Sequence, residues 1–144
     1  MIHPKILLLA CLASCVALAG CSPKNSLELY PVHGKVMADK KPAVGALITF
    51  YAASSDLKLE KAPSANVKPD GSFVIGTLKP EDGAPAGDYT ITIIWLPSDA
   101  AASIARGILP NRLPSQYGDP FKSGLKVQVK KQANELDVFD IKTK

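Results

Sequence analysis

The sequence predicts an all-β domain built as a two-sheet sandwich, and three observations point to this fold class. Short runs alternate apolar and polar residues, as strands with one buried face do. Glycine, proline, aspartate and asparagine interrupt these runs at positions typical of turns. No stretch keeps a helical period for longer than about two turns. About seven short strands with turn signals roughly every 8 to 12 residues are typical of a sandwich.

The alternating runs identify the strands in order along the chain. The first is predicted over residues 32–37, and segment 39–45 turns the chain into the second, over 46–51. The final run, 135–142, changes phase between Val138 and Phe139, which predicts a β-bulge or contact on both faces. The residues predicted to face inward are Val32, Gly34 and Val36; Ala46, Ile48 and Phe50; Tyr89, Ile91, Ile93 and Trp95; and Leu125, Val127 and Val129.

Residues 67–75, "VKPDGSFVI", predict a hairpin whose turn is Pro69, Asp70 and Gly71. Proline presets φ for the turn, and glycine accepts a positive φ without steric cost. These three residues are therefore assigned a structural role.

The stretch "EDGAPAGDYTITIIW", residues 81–95, raises the question of a ligand site. Its acids Glu81, Asp82 and Asp88, with Asp70, offer the hard oxygen ligands that calcium prefers. The spacing lacks the alternation of an EF-hand loop, however, and prolines interrupt it. We therefore expect no metal site here, and we expect Asp82 and Asp88 to bond to backbone N–H groups or water.

A structural explanation of the same stretch rests on Gly87 and Tyr89. Small and φ-restricted residues suit a chain that crosses between sheets, and Tyr89 follows Gly87 as it would in a tyrosine corner. Trp95 closes the inward stripe, so core packing is expected for it. The alternative is an exposed platform for sugar or peptide binding, shared with Tyr51 or Tyr117.

The connection from Pro97 to Gly124 is longer than an ordinary turn. Asp99 is placed to cap a short helix over residues 100–106. The connection is either a functional loop or a solvated crossover between the sheets. If it is functional, Tyr117 and Phe121, which flank "GDP", are the candidate partner contacts.

The N-terminus has the pattern of a secretory signal: a short basic lead, an apolar run and small residues. Its end, "LAGC" (Leu18 to Cys21), resembles the lipobox of bacterial lipoproteins, in which the leader is cut before a cysteine that then carries a diacylglyceryl group. The expected division is a signal over 1–20, a lipidated tether over 21–30 and one domain over 31–144. Ser22, rather than an aspartate, favours the outer membrane or cell surface over the inner membrane. The alternative is an ordinary signal cleaved nearby, with Cys21 incidental.

Composition narrows the function classes. All three cysteines, Cys11, Cys15 and Cys21, lie in the leader or at its end, which argues against disulfides and cysteine metal sites in the domain. The net charge of +4 is small and the basic residues are scattered, which argues against nucleic acid binding.

After cleavage one histidine remains, His33, with no neighbouring nucleophile in sequence, so neither catalysis nor a zinc site is expected. No phosphate-binding or dinucleotide-binding glycine pattern occurs, and no cofactor or small-molecule ligand is expected.

Four segments together resemble the small carboxypeptidase regulatory-like lipoproteins of planctomycete-type bacteria: "GKVMADKKPAVGALITFYA", "VKPDGSFVIGTL", "DGAPAGDYTITIIW" and "LPSQYGDPFKSGLKVQVKKQANELDVFDIK". The resemblance covers nearly all of the chain expected to remain after cleavage, from about Val32 to Lys142. It implies a seven-stranded, transthyretin-like (prealbumin-like) Greek-key sandwich, akin to immunoglobulin-like folds, and a cell-envelope location, but no activity. Where this group usually has an Asp-Gly turn, the chain has Asp39 followed by Lys40. The 5-hydroxyisourate hydrolases of the same fold need several histidines and a C-terminal Tyr-Arg-Gly-Ser, whereas this chain ends "DIKTK".

The sequence thus predicts a non-enzymatic, lipid-anchored module of the cell envelope. Its expected partners are the membrane, through the lipid on Cys21, and other envelope proteins, through edge strands or the 97–124 connection. The alternative function is a carbohydrate- or peptide-binding surface domain that uses exposed aromatic side chains.

Overall fold

The structure is a computed structural model that describes residues 27–98, 101, 104–107 and 111–144. Cys21, the predicted leader and most of the predicted tether lie outside the described residues. In chain order the described residues form β1 (Val32–Ala38), β2 (Lys41–Pro42), β3 (Leu47–Ala52), β4 (Ser64–Asn66), β5 (Ser72–Val74), β6 (Gly87–Ile94), a 3₁₀ helix (Ser115–Gly118), β7 (Leu125–Val129), β8 (Asn134–Glu135) and β9 (Phe139–Ile141). The predicted all-β class is confirmed.

The strands form two sheets. One is antiparallel, with the order β4-β3-β6-β7. The other is centred on β1, which pairs antiparallel with β5 and β2 along one edge. Along its other edge β1 pairs parallel with β8 and β9, so the first and last strands of the domain lie side by side.

The phase change in the last run is a β-bulge, the first of the two predicted alternatives. His33 is opposite Glu135, whereas Val36 is opposite Phe139. Three steps along β1 therefore match four steps along the last segment, and the extra residue separates β8 from β9.

The core lies where the predicted stripes meet. Most of the residues predicted to face inward are buried, and Phe73 of β5 joins them. The inward side chains Leu125 and Val127 of β7 are only half-buried, because β7 is an edge strand with a neighbour on one side. Trp95, just beyond β6, is also half-buried.

The predicted hairpin over 67–75 is present at its turn, but its two arms do not continue as a paired ladder. Strand β4 pairs with β3 in one sheet and β5 pairs with β1 in the other. Lys68 N–H donates to Ser72 O at 2.7 Å next to the turn, and the two segments meet again in an isolated bridge between Ser64 and Gly76. The chain crosses between the sheets here because Phe73 packs onto β1 at Gly34, where an added Cβ would come within 2.5 Å of the Phe73 ring.

The long connection folds back onto the antiparallel sheet. The 3₁₀ helix lies against β6, with Gly118 next to Ile94. Thr92, which alternates with the inward-facing Ile91 and Ile93, is therefore buried on the outer face of the sheet. Farther back, Ala105 N–H donates to Ala101 O at 3.0 Å, one helical turn within the predicted short helix. Its predicted cap, Asp99, lies outside the described residues.

Candidate binding surface

The carboxylates of residues 81–88 point to different partners. Glu81 forms a 2.8 Å ion pair with Lys68, which holds the pKa of that carboxyl below its ordinary value. Asp82 accepts hydrogen bonds from the backbone N–H groups of residues 77, 78 and 79, at 2.6, 3.2 and 2.8 Å. Asp88 is exposed on β6. No group of three metal-ligating side chains occurs within the described parts of the chain.

The loop organised by Asp82 holds the N-terminal segment. Tyr30 and Ala84 exchange two backbone hydrogen bonds, of 2.9 and 3.0 Å. Gly83 has φ +96°, and an added Cβ there would lie 2.2 Å from the carbonyl O of Tyr30. The stretch that resembled a ligand loop therefore fixes the point where the chain enters the domain.

Gly87 and Tyr89 form the predicted corner into β6. The hydroxyl of Tyr89 donates to the carbonyl O of Pro85 at 2.8 Å, and burial raises the pKa of Tyr89 to about 12. A Cβ on Gly87 would lie 2.5 Å from Leu57 Cδ1, so the glycine makes room for that side chain.

Pro69, Asp70 and Gly71 occupy the turn between β4 and β5. Gly71 has φ +84°, which glycine adopts at no steric cost. Asp70 Oδ1 accepts from the N–H and the hydroxyl of Ser72 at 3.0 and 2.6 Å, and these bonds lower the pKa of Asp70.

Trp95 belongs to a partly exposed cluster rather than to the centre of the core. Its indole N–H donates to the carbonyl O of Val44 at 2.9 Å, and the guanidinium of Arg112 lies 4.8 Å from its ring centroid. The exposed ring of Tyr51 faces outward from β3, on the same face as its partner Thr90. Strand alternation places Trp95 on the opposite face of that sheet. The two aromatic rings therefore share no platform.

Tyr117 and Phe121 have different environments. Tyr117, in the 3₁₀ helix, is half-buried and packs against the core cluster. Phe121 is 96% exposed, more than any other large hydrophobic residue among those described. Of the two candidate contacts, only Phe121 presents its whole ring to solvent.

The turn that carries Phe121 is organised by Asp119. Its Oδ1 accepts from Phe121 N–H at 2.8 Å, and its carbonyl O accepts from the N–H groups of Lys122 and Ser123 at 3.1 and 2.8 Å. Its Oδ2 also lies 3.6 Å from Lys122 Nζ. The exposed ring is thus held on a hydrogen-bonded turn four residues before β7 begins.

The free edge of β7 lies next to this turn. Lys130, just after β7, bonds away from β6: its N–H donates to Asn134 Oδ1 at 2.8 Å, and its C=O accepts from Asn134 Nδ2 at 3.1 Å. Backbone groups of alternate residues in a strand face the same way. Lys126 and Gln128 therefore also point outward, and no residue that the structure describes hydrogen-bonds to their backbone.

A groove of about 270 Å³ runs between the β7 edge and the β8–β9 segment. Its apolar lining comes from Val127 on one side and from Leu136, Val138 and Phe139 on the other. Val138 is 54% exposed. The free backbone of β7, the groove beside it and the Phe121 turn together define the edge surface.

Asn134 is an important residue that sequence reasoning missed. It is buried, and its Nδ2 also donates to Pro31 O at 3.3 Å and to Gln132 O at 2.6 Å. It closes the end of β7 and ties that end to the start of β1. An asparagine between two alternating runs was the available signal.

His33 lies in the middle of β1, half-buried between Val74 and Glu135 on the two neighbouring strands. Its backbone carbonyl accepts a hydrogen bond from Leu136 N–H at 2.9 Å. The position is that of a sheet residue rather than a cleft residue.

Comparison of the chain with protein-family models, curated proteins and solved structures returned no match. Among the residues that the structure describes, none belongs to a helix with the length and apolar character needed to span a bilayer.

Proposed function

We propose that the chain is a lipid-anchored binding module of the cell envelope, without catalytic activity of its own, that contacts other envelope proteins through the edge surface. The observation that carries this proposal is Phe121, a ring 96% exposed on a turn ordered by Asp119. Burying a Phe side chain contributes about 1.5–3 kcal/mol, so a fully exposed ring on an ordered turn is well suited to anchor a partner.

The proposal includes a transthyretin-like architecture. The nine described strand segments correspond to the seven strands of that fold if β8 and β9 are counted as one bulged strand. The two-residue β2 is then counted as part of the turn after β1. The Tyr89–Pro85 hydrogen bond at the entry to β6 supports the same assignment, because a tyrosine corner is a hallmark of Greek-key sandwiches.

Lipid anchoring is proposed from "LAGC", with Cys21 as the lipidated residue and export to the outer membrane or cell surface. The orientation of the domain fits such an anchor. The carbonyl O of Pro31 accepts from Asn134 N–H at 2.9 Å, so the N-terminal segment lies at the end of β7. Phe121 precedes the start of β7, and five strand residues span roughly 17 Å. The anchored end and the exposed ring are thus at opposite ends of the strand.

Two measurements test this function. Mass spectrometry of the protein from the membrane fraction is expected to find a diacylglyceryl group on Cys21, and an unmodified Cys21 would contradict lipid anchoring. A photo-crosslinking amino acid in place of Phe121 in intact cells is expected to give defined protein adducts. The same amino acid in place of Val44, which is 47% exposed elsewhere on the domain, serves as the matched control. Equal adducts at the two positions would contradict a specific contact at Phe121.

A further inference from the structure

We propose that β7 receives an added strand from the partner, and that this strand alternates acidic and apolar side chains. The inference deepens the proposed function and rests on it, since it specifies the chemistry of the partner that the edge surface would bind. Three features of the protein support this inference: the free backbone of β7, the apolar groove beside β7 and the lysines along β7.

The outer edge of β7 has backbone N–H and C=O groups that can bond to another strand. Lys126 and Gln128 direct their N–H and C=O groups away from β6, and no described residue bonds to them. Extended peptides bind such edges through main-chain hydrogen bonds, with pockets for alternate side chains.

Most devices that block unwanted pairing are missing from this edge. Proteins protect edge strands with proline, bulges or inward-pointing charges. The sequence of β7, "LKVQV", contains no proline, its register with β6 is unbroken, and its inward side chains Leu125 and Val127 are apolar and half-buried. An added strand would cover these two side chains and Val138 across the groove.

The charged side chains of β7 and of its flanking residues are lysines, and they favour a partner of negative charge; the exposed Asp88 of β6 lies opposite Gln128 on the same face. Residues 120–134 contain four lysines and no acidic residue. Lys126 and Lys130 are both exposed, and strand alternation places them on the same outer face of the sheet. An acidic side chain opposite each would be attracted, whereas a basic strand would be repelled.

On the side that faces the groove, the partner strand is expected to carry apolar side chains. Glu135 and Asp137 lie at its far wall, beside Val138. Acidic residues of the partner would be repelled there, while apolar residues would cover Val127 and Val138. The partner strand is therefore expected to alternate, with acidic side chains facing the lysines and apolar side chains facing the groove.

A second copy of the chain fits this edge less well. Antiparallel pairing of β7 with another β7 would bring the lysines of both strands onto one face, at direct or diagonal distances. The added strand is therefore a segment of a different protein.

The test uses the mature lipidated protein in detergent and two fluorescein-labelled octapeptides, one alternating Glu and Val and the other alternating Lys and Val. Fluorescence anisotropy is expected to show at least about tenfold tighter binding of the Glu–Val peptide. The double variant K126E/K130E should reverse the preference. The matched control K41E/K58E makes the same change of charge at exposed lysines away from β7 and should leave the preference unchanged.

A backbone variant tests strand addition separately from charge. Gln128→Pro removes an N–H that points away from β6, so the sheet is expected to keep its circular dichroism spectrum while Glu–Val binding is lost. Equal binding of both peptides, or no effect of K126E/K130E, would overturn the inference, as would a dimer in sedimentation that the Glu–Val peptide does not dissociate. If any of these results were obtained together with specific crosslinks at position 121, the proposed function would be retained. Only the proposal of an acidic partner strand would then be contradicted.

Discussion

The hydroxyl of Tyr89 donates a 2.8 Å hydrogen bond to the backbone carbonyl O of Pro85, inside the core. The ring of Tyr89 also lies with its centroid 5.6 Å from that of Phe50 on the neighbouring strand β3. One side chain thus connects the corner at which the chain enters β6 with the centre of the antiparallel sheet.

Tyr89→Phe removes this hydrogen bond and keeps the ring. We expect the free energy of unfolding to fall by about 1–2 kcal/mol, because the carbonyl of Pro85 loses a buried donor. Urea denaturation measures the change. Tyr51→Phe is the control, since Tyr51 is 43% exposed, and it should change stability by less than about 0.5 kcal/mol. Equal effects of the two substitutions would mean that the corner bond does not stabilise the fold.

The same residue predicts a dependence on alkaline pH. Burial raises the pKa of Tyr89 from 10.0 to about 12 in the folded protein. Its stabilising contribution is complete below pH 10 and is lost as the pH rises toward 12, because the unfolded chain releases the phenolic proton first. The stability difference between the wild type and Tyr89→Phe should therefore shrink across that window. A difference that stays constant would rule out the raised pKa.

Asp82→Ala is expected to loosen the loop that holds the N-terminal segment. Three backbone N–H groups lose a charged acceptor, and a loss of about 1–3 kcal/mol is expected in urea denaturation. Asp88→Ala removes an exposed carboxylate from the same stretch and should be nearly neutral. If calcium stabilised the wild type and either variant abolished that effect, the structural role assigned to these acids would be wrong.

Gly83→Ala and Gly45→Ala form a matched pair. Both glycines have positive φ, +96° and +78°, so both substitutions carry the cost of a left-handed alanine, about 1 kcal/mol. Only at Gly83 would the new Cβ meet backbone, 2.2 Å from Tyr30 O, whereas nothing lies within 4 Å of it at Gly45. We expect Gly83→Ala to be the more destabilising and to expose Tyr30, as measured by thermal unfolding and tyrosine fluorescence. Equal melting temperatures would show that the N-terminal segment is not held at Gly83.

The buried stripes of β1, β3 and β6 were predictable from sequence because strand side chains alternate with a period of two. The bulge before Phe139 was predictable for the same reason, since an extra residue shifts that period. Local chemistry alone was sufficient for these features.

The crossing between β4 and β5 was not predictable from the turn residues. Pro69, Asp70 and Gly71 make the same turn whether the following strand stays in its sheet or leaves it. Sheet membership depends on Phe73 packing at Gly34, a contact between distant parts of the chain. The role of Asn134 was hidden for a similar reason, because Pro31 lies 103 residues away in sequence.

The edge surface illustrates the same limit. Alternation in "LKVQV" indicated a strand, and the place of Phe121 in the long 97–124 connection suggested a contact. Which side of β7 lacks a neighbour, and which backbone groups face outward, follows only from its pairing with β6 and from the Asn134 bonds to Lys130.

The most direct measurement of the central claim is amide hydrogen exchange at Lys126 and Gln128 in isolated native membranes, compared with the purified protein in detergent. If a partner strand occupies β7, both amides should exchange at least about tenfold more slowly in membranes, while the exposed position Val44 keeps its rate. Equal rates at Lys126 and Gln128 in the two preparations would contradict a partner strand on the edge surface.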